Sequence, residues 1–396
     1  MKNKKKNKNW LLFRDALFST LLSLFTCYVL SLLFLNLSFF NPIAKALKDF
    51  SFLDVYYAEK LSETKKIDSS IVLINVEHKD RMAIALALEE VLKADPKVVG
   101  FDIILKEPKG IKADTILADL LNKENVVLSH TTDNEENIIA NYPFFAPLEH
   151  SGYVNFNFEE DNSVIREFNG LYYNKGLEME SFGYKIAKRY MPKKQWEANN
   201  IKDKLRSPRV INYKGDLHKF INFTIDEFMT LSNKSLLKDK IVLIGYLGTP
   251  TANINDVEDK HFTPLNTITS GKSIPDMYGV AIHANIISMI IENTFMYRIS
   301  TFWIVVFTFL CSLIVSIYFI WLSKRLKISY RTVRKLMLLV FTILLVWLTL
   351  WLFKKGVVLK SAPIIFVTVF SAGFIKFYKH LIRYIKTKRK FKTYMK

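Results

Sequence analysis

Twenty-five consecutive residues, Ala16 to Phe40, carry no charge, and as a helix they would extend about 37 Å, enough to cross a bilayer with some tilt. Three further apolar runs follow late in the chain, Thr301 to Leu322, Leu336 to Phe353 and Val357 to Ile375. Pro363 and Lys360 interrupt the last of these, but helices in a bundle accept proline, and a lysine near a helix end can snorkel to the interface. The chain therefore reads as four transmembrane helices, at 16–40, 301–322, 336–353 and 357–375, with the lipid bilayer as an obligatory partner.

The charge pattern orients them. The formal net charge is +19, and most of the excess lies beside the apolar runs: five lysines in Met1 to Trp10, six basic residues in Ser323 to Lys335, and nine from Lys376 onward. Positively charged loops stay on the cytoplasmic side. That rule makes 1–15, the loop 323–335 and the tail 376–396 cytoplasmic, and it puts 41–300 outside the membrane. Only the short Lys354-Lys355 turn disagrees. The outer segment, slightly acidic by itself, has no basic face for nucleic acid. The lysine-rich termini could also meet anionic lipid headgroups, although topological anchoring alone accounts for them.

Ala44-Lys45-Ala46 looks like a signal cleavage site. The apolar run before it exceeds an ordinary signal core, so an uncleaved anchor is the expectation. Both cysteines, Cys27 and Cys311, fall within spans. The outer segment therefore has neither a disulfide framework nor a thiolate metal site.

Between the spans the pattern is α/β. Ile43 to Lys66 reads as a stalk helix, with Phe50, Leu53, Val55, Tyr56 and Leu61 at loose helical spacing. A strand at Ile71 to Val76, a helix at Arg81 to Lys93 and an apolar run at Val98 to Leu105 form a unit that gives parallel strands with a right-handed crossover. Lys112 to Lys123 and Val126 to Ser129 repeat it. From Gly152 the period changes to two, with Val154, Phe156 and Phe158 alternating, then a turn at Glu159 to Ser163 and an extended stretch Val164 to Tyr173, which predicts an antiparallel hairpin. Glu180 to Tyr190 returns to helix, Arg209 to Tyr213 is a short strand, and Thr224 with Glu227 forms a capping box for a helix ending near Leu231. Last, a buried strand at Ile241 to Ile244 leads through a long loop, Gly245 to Tyr278, into Val280 to Glu292. There Ile282, Ile286, Met289 and Ile290 predict an amphipathic helix. The fold class expected is an α/β extracytoplasmic domain with a mainly parallel sheet and an antiparallel hairpin insertion, plus four transmembrane α-helices.

Loops of that length usually carry function. Open α/β sheets bind ligands where a turn leaves the carboxyl end of a strand, which marks Gly245, Gly248 and Thr249, with a ligand-free tight turn as the alternative. Asp102, inside Val99-Gly100-Phe101-Asp102-Ile103-Ile104, is costly to bury without a donor or cation. It reads either as part of a site or as a structural acceptor. Asp259 and Thr263 lie in the long loop. Asp256, Glu258 and Asp259 could ligate a hard cation, but acidic loop residues are more often merely solvated, and no metal or cofactor is expected. His283, on the last helix, reads as a packed core histidine, with ligand contact as the alternative. Ser270-Gly271-Lys272-Ser273 resembles a phosphate loop only in part, since it runs into Ile274-Pro275 rather than opening a helix. No zinc-protease histidine pair, nucleophile elbow or cysteine nucleophile is present, so an enzyme is not expected.

These segments together resemble the CHASE family, type two, a class of extracytoplasmic sensory domains associated with cyclases and histidine kinases. The resemblance is carried by Val98-Val99-Gly100-Phe101-Asp102-Ile103-Ile104, Tyr142-Pro143-Phe144-Phe145, Gly152-Tyr153-Val154-Asn155, Asp161 with Arg166, and Ile211-Asn212-Tyr213. It continues through Lys240 to Gly245, Asp259 with Thr263-Pro264, and Gly279-Val280-Ala281-Ile282-His283-Ala284. The sensory core would be 71–293, with one helix before and three after, as in the family. Where the family has an acidic pair and a segment rich in tryptophan and proline, Asn75-Val76-Glu77-His78 passes directly to Asp80-Arg81. No enzyme domain follows the last span, so a stand-alone form is expected. The resemblance implies a plasma-membrane sensor or receptor subunit for an unidentified ligand or envelope component, signalling through a separate partner protein. A homo-oligomer is compatible with this plan. The alternative is a structural subunit of an envelope complex with no ligand.

Overall fold

The computed structural model describes residues 2–36, 67–156, 164–249, 257–266, 274–326, 330–389 and 391–395. The stalk helix expected over 43–66, the turn over 159–163, Asp161, Asp256 and the Ser270 to Ser273 segment lie outside them. The chain divides into two compact units, Met1–Ala44 with Tyr297–Lys396, and Lys45–Met296.

The second unit is built on a mainly parallel sheet of β1 (Asp68–Asn75), β2 (Val98–Phe101), β3 (Val126–Thr132), β4 (Ser151–Tyr153), β7 (Phe220–Thr224) and β8 (Ile241–Gly245), with β5 (Leu171–Asn174) and β6 (Leu177–Glu180) as a separate antiparallel pair. In space the order is β7-β1-β8-β2-β3-β4, every neighbouring pair parallel. Strands covered on both faces read as unbroken apolar runs, and Ile71 to Ile74, Val98 to Phe101 and Ile241 to Ile244 are buried throughout.

The helices of this unit are α1 (Arg81–Lys93), α2 (Ile111–Leu121), α3 (Phe182–Tyr190), α4 (Ile225–Thr230) and α5 (Gly279–Ile291). Val72, Ile74, Val99, Phe101, Val242 and Ile244 share a core with α1, α2 and α4. Alternate strand residues face the other way, toward α3 and α5, which pack on each other and on the sheet. Local chemistry starts these helices where the sequence places them. Asp80 accepts from the Ala83 N–H at 2.8 Å ahead of α1. Thr224 and Glu227 form the reciprocal capping box of α4. Ser181 caps α3.

Two expectations change. Val154 to Phe156 do not pair with the Val164 to Tyr173 stretch: β4 joins the parallel sheet beside β3, Glu167–Phe168 pairs with Arg209–Val210, and the antiparallel hairpin forms one step later, between β5 and β6 around Lys175-Gly176. Alternation marks an extended segment but not its partner. Helix α5 is not amphipathic. Every residue from Gly279 to Ile290 is buried, because its polar members find partners inside. Asn285 donates to Gly215 O and Ala281 O and accepts from the Lys214 N–H. The Ser288 hydroxyl donates to Asp68 at 2.5 Å. Lys214 bridges Asp68 and Glu292 at 2.9 and 2.6 Å, closing the carboxyl end of the helix.

The other unit holds four helices long and apolar enough to cross a membrane, Lys2–Asn36, Thr301–Arg325, Tyr330–Lys354 and Ala362–Lys388. The last begins later than the apolar run suggests: Val357–Val358 pairs with Tyr297–Arg298, and Pro363 takes the first helical turn, where its missing N–H costs nothing. Small hydroxyl residues bring the first, second and fourth helices together, Thr20 to Ser316 at 3.0 Å and Ser23 to Ser371 at 2.7 Å. Asp15, the only acidic residue of this unit, is buried. It accepts from Arg14, from the Thr393 hydroxyl and from the Tyr394 N–H.

Candidate functional site

At the carboxyl edge of the sheet, one residue from each parallel strand falls into a single transverse row. Thr224 lies beside Asn75, and Asn75 beside Gly245. Ile244 is level with Phe101 and Phe101 with Leu128, so the next residues, Gly245, Asp102 and Ser129, continue the row, and Ser129 pairs with Gly152. The Asp102 N–H still donates to Ile244 O at 2.8 Å, extending the ladder past the last residue of β2. Side chains alternate across a strand. Each apolar strand thus exchanges its apolar residues for small or polar ones on the face that meets α5.

Gly245 lets the amino end of α5 approach that row: a Cβ there would lie 2.4 Å from Val280 Cγ2 and 3.2 Å from the Asp102 Cβ. Asn75 then directs the departing loop. Its amide donates to Gly248 O at 2.7 Å and accepts from the N–H groups of Leu247 and Glu77 at 2.8 and 3.0 Å. Gly248 has φ +88, and a Cβ would strike the Tyr278 hydroxyl at 2.1 Å, so only glycine fits. Thr249, the next residue, is half-buried.

Asp259 stands at the rim. Its carbonyl accepts from the Gly279 N–H at 3.2 Å, its side chain lies beside Gly279, and its Oδ1 is 3.8 Å from His261 Nε2. A carboxylate there also suits the positive end of the helix dipole. His283, one turn into α5, is buried. It stacks on Phe156 with centroids 4.7 Å apart and meets the edge of Phe182 at 5.4 Å, while Phe156 reaches His261 at 5.2 Å. Asp102 and Gly245 thereby meet under the first turn of α5 with Asp259 at its rim, and His283 lies one turn further on among Phe156 and Phe182. Gly248 and Thr249 shape the loop that follows Gly245. Thr263 is turned to a structural task, its N–H and hydroxyl both donating to Asp276.

The electrostatics follow from this placement. Burial, joined by the Asp259 charge, pushes the Asp102 carboxyl up to about 7, with the Ser129 hydroxyl acting weakly the other way. Burial, with His261 nearby, lowers His283 to about 3, so its ring is neutral at physiological pH. Among the described residues no lysine or arginine pairs with Asp102 or Asp259. Ser129 is buried facing Asp102, yet its hydroxyl falls short of hydrogen-bond geometry with any group. Such orphaned groups are uncommon and costly. Among the described residues no three His, Cys, Asp or Glu side chains are grouped to hold a metal.

Asn75, Ser129, Phe156 and His261 were not singled out by the sequence. Two of them left a signal: a polar residue directly after an apolar run, as Asn75 follows Ile71 to Ile74 and Ser129 follows Val126 to Leu128, is the same mark that drew attention to Asp102.

A family profile described as the CHASE2 domain matches residues 29–318. No curated protein and no solved structure matches the chain.

Proposed function

The chain belongs to the CHASE2 domain family, sensory extracytoplasmic domains rather than catalytic ones, and from that premise we propose that it is a plasma-membrane receptor subunit whose outer domain binds a small ligand or envelope component and passes the signal to a separate partner protein. On this reading the outer domain runs over 41–300 with its core at 71–293, and the basic segments 1–15, 323–335 and 376–396 face the cytoplasm. The ligand sits against Asp102, Gly245 and Asp259, where the strands β8 and β2 end under the first turn of α5. The observation that supports this most is the buried Ser129 hydroxyl in that row. A sheet that needed only to be stable would close its carboxyl edge with satisfied groups, as this one does at Asn75, and here the Ser129 hydroxyl facing Asp102 is left short of hydrogen-bond geometry.

Helix α5 has one end at this site and the other in the Lys214–Asp68–Glu292 clamp, and the chain reaches the apolar helix at Thr301 soon after it. A ligand that draws the first turn of α5 toward Asp102 therefore acts on a fully packed helix, which the chain leaves shortly before Thr301. The test is thermal unfolding of the full chain in detergent with and without fractionated envelope extract. At least one fraction should raise the unfolding temperature, and Asp102→Asn should weaken that response. Extracts that leave the unfolding temperature unchanged at every fraction would refute the receptor reading.

A further inference from the structure

We infer that the segment 391–395 is a strap with two positions, seated on Asp15 at one end of the membrane bundle and drawn off that seat onto the bilayer surface where the surface carries anionic lipid.

The seat recognises this segment residue by residue. Asp15 on the first helix is fully buried, and its Oδ2 accepts from the Thr393 hydroxyl and from the Tyr394 N–H, the latter at 2.7 Å. Arg14 donates to Lys392 O and holds its guanidinium 4.6 Å from the centre of the Phe391 ring. Lys324, in the last turn of the second helix, stands 3.6 Å over the ring of Tyr394. Lys386 of the fourth helix donates to Met395 O at 3.4 Å. Tyr394 and Met395 are buried in one cluster with Ala16, Ile320 and Ile382. Three helix ends thus converge on five residues, and those residues cover Asp15.

Charge works against the seated position. Asp15 is the only acidic residue in this unit, and Arg14 already takes its Oδ1. From Lys386 to Lys396 the chain carries six basic residues among eleven and no acidic one. Seating the strap therefore brings Lys392 up to Arg14 and Lys386 with one carboxylate to answer them all. The fit is also incomplete, since Arg14 Nε is buried without an acceptor among the described residues.

An anionic headgroup layer relieves this imbalance, and it lies within reach. The fourth helix is long and apolar enough to cross a membrane, so the residues directly after it meet the headgroups. Each basic residue held near an anionic surface favours that position by about fivefold. Tyr394 keeps a suitable setting on leaving the bundle, because tyrosine rests readily at the membrane interface. Neutral headgroups add no such attraction, and over them the hydrogen bonds to Asp15 hold the strap down. Release uncovers Asp15, the one acidic spot at an otherwise basic end of the bundle.

The experiment places spin labels on the full chain at Lys392→Cys and Arg331→Cys, both exposed positions, with Cys27 and Cys311 replaced by serine. Pulsed electron paramagnetic resonance in nanodiscs reads the distance between the labels. Asp15→Asn and Thr393→Ala, which each remove part of the seat, give the distance of the released strap. In phosphatidylcholine alone the seated distance should dominate. With roughly one lipid in three replaced by phosphatidylglycerol, the ratio of released to seated strap should rise on the order of twentyfold, since Lys390 and Lys396 remain to be drawn at about fivefold each. Added salt should reverse the rise. Lys390→Gln with Lys396→Gln should abolish it and leave the strap seated, and inorganic phosphate added to the neutral nanodiscs should release nothing. A seated distance at every lipid composition, equal release in neutral and anionic nanodiscs, a rise that survives the two glutamines, or equal release by free phosphate would each overturn the lipid-drawn strap. All of these outcomes leave the reading of the outer domain where it stands, because none of its residues is changed.

Discussion

Replacing Asp102 with asparagine removes its titration while keeping its shape, and so measures what this side chain costs the folded protein. The folded carboxyl titrates near about 7 against 3.8 for a free one. Between those values the folded chain keeps a proton that the unfolded chain has released. The stability contributed by the neutral acid is therefore fully present below 3.8 and is lost as pH rises through about 7. About three units at about 1.4 kcal/mol each set a ceiling near 4 kcal/mol, and solvent reaching the half-buried carboxyl lowers it to about 2 kcal/mol. Asparagine does not titrate, so the variant should match the parent near about pH 4 and exceed it by about 2 kcal/mol above about pH 8, a gain of about 4 °C or more for a unit of this size. Scanning calorimetry of both proteins in detergent across a pH series reads this directly. Parallel curves, or a variant less stable at high pH, would refute the argument that an uncompensated carboxyl is held at this edge. Asp259→Asn in the parent should move the inflection toward lower pH, since it removes the neighbouring charge.

Asp68 should show the opposite slope. Burial tends to raise its carboxyl, but hydrogen bonds from Ser288, Ser70 and Lys214 outweigh that and hold it at about 2, so its contribution of about 2 kcal/mol is present above 3.8 and disappears as pH falls toward about 2; Asp68→Asn should flatten that acid limb in the same calorimetric series. In the membrane unit, Asp15→Asn should free the segment 391–395 from its anchor on the first helix. Trypsin cleavage after Lys392 should then quicken on the order of tenfold, as for loss of a charge-assisted bond, with the outer-unit transition unmoved.

Much of this protein could be read along the chain, because hydropathy and caps are properties of neighbouring residues. The four apolar helices follow from run length, α1 from its apolar periodicity, and α4 from the Thr224–Glu227 box. Asp102 was visible as a carboxylate in an apolar strand. What the chain alone did not contain was pairing between distant segments. That β8 inserts between β1 and β2, more than a hundred residues away along the chain, and that β4 joins β3 rather than folding back on its successor, depends on which buried faces pack together. Only that packing turns Asn75, Gly245, Asp102 and Ser129, each an ordinary end to an apolar run, into one row. It also buries α5 on every side, since partners for Asn285, Ser288 and His283 come from β1, the Lys214 loop and Phe156, none of which its helical period could announce. The sequence by itself determined the elements and the membrane segments; the tertiary structure decided the site, because a site is made of residues whose nearness is set by sheet register and helix packing, not by their spacing along the chain.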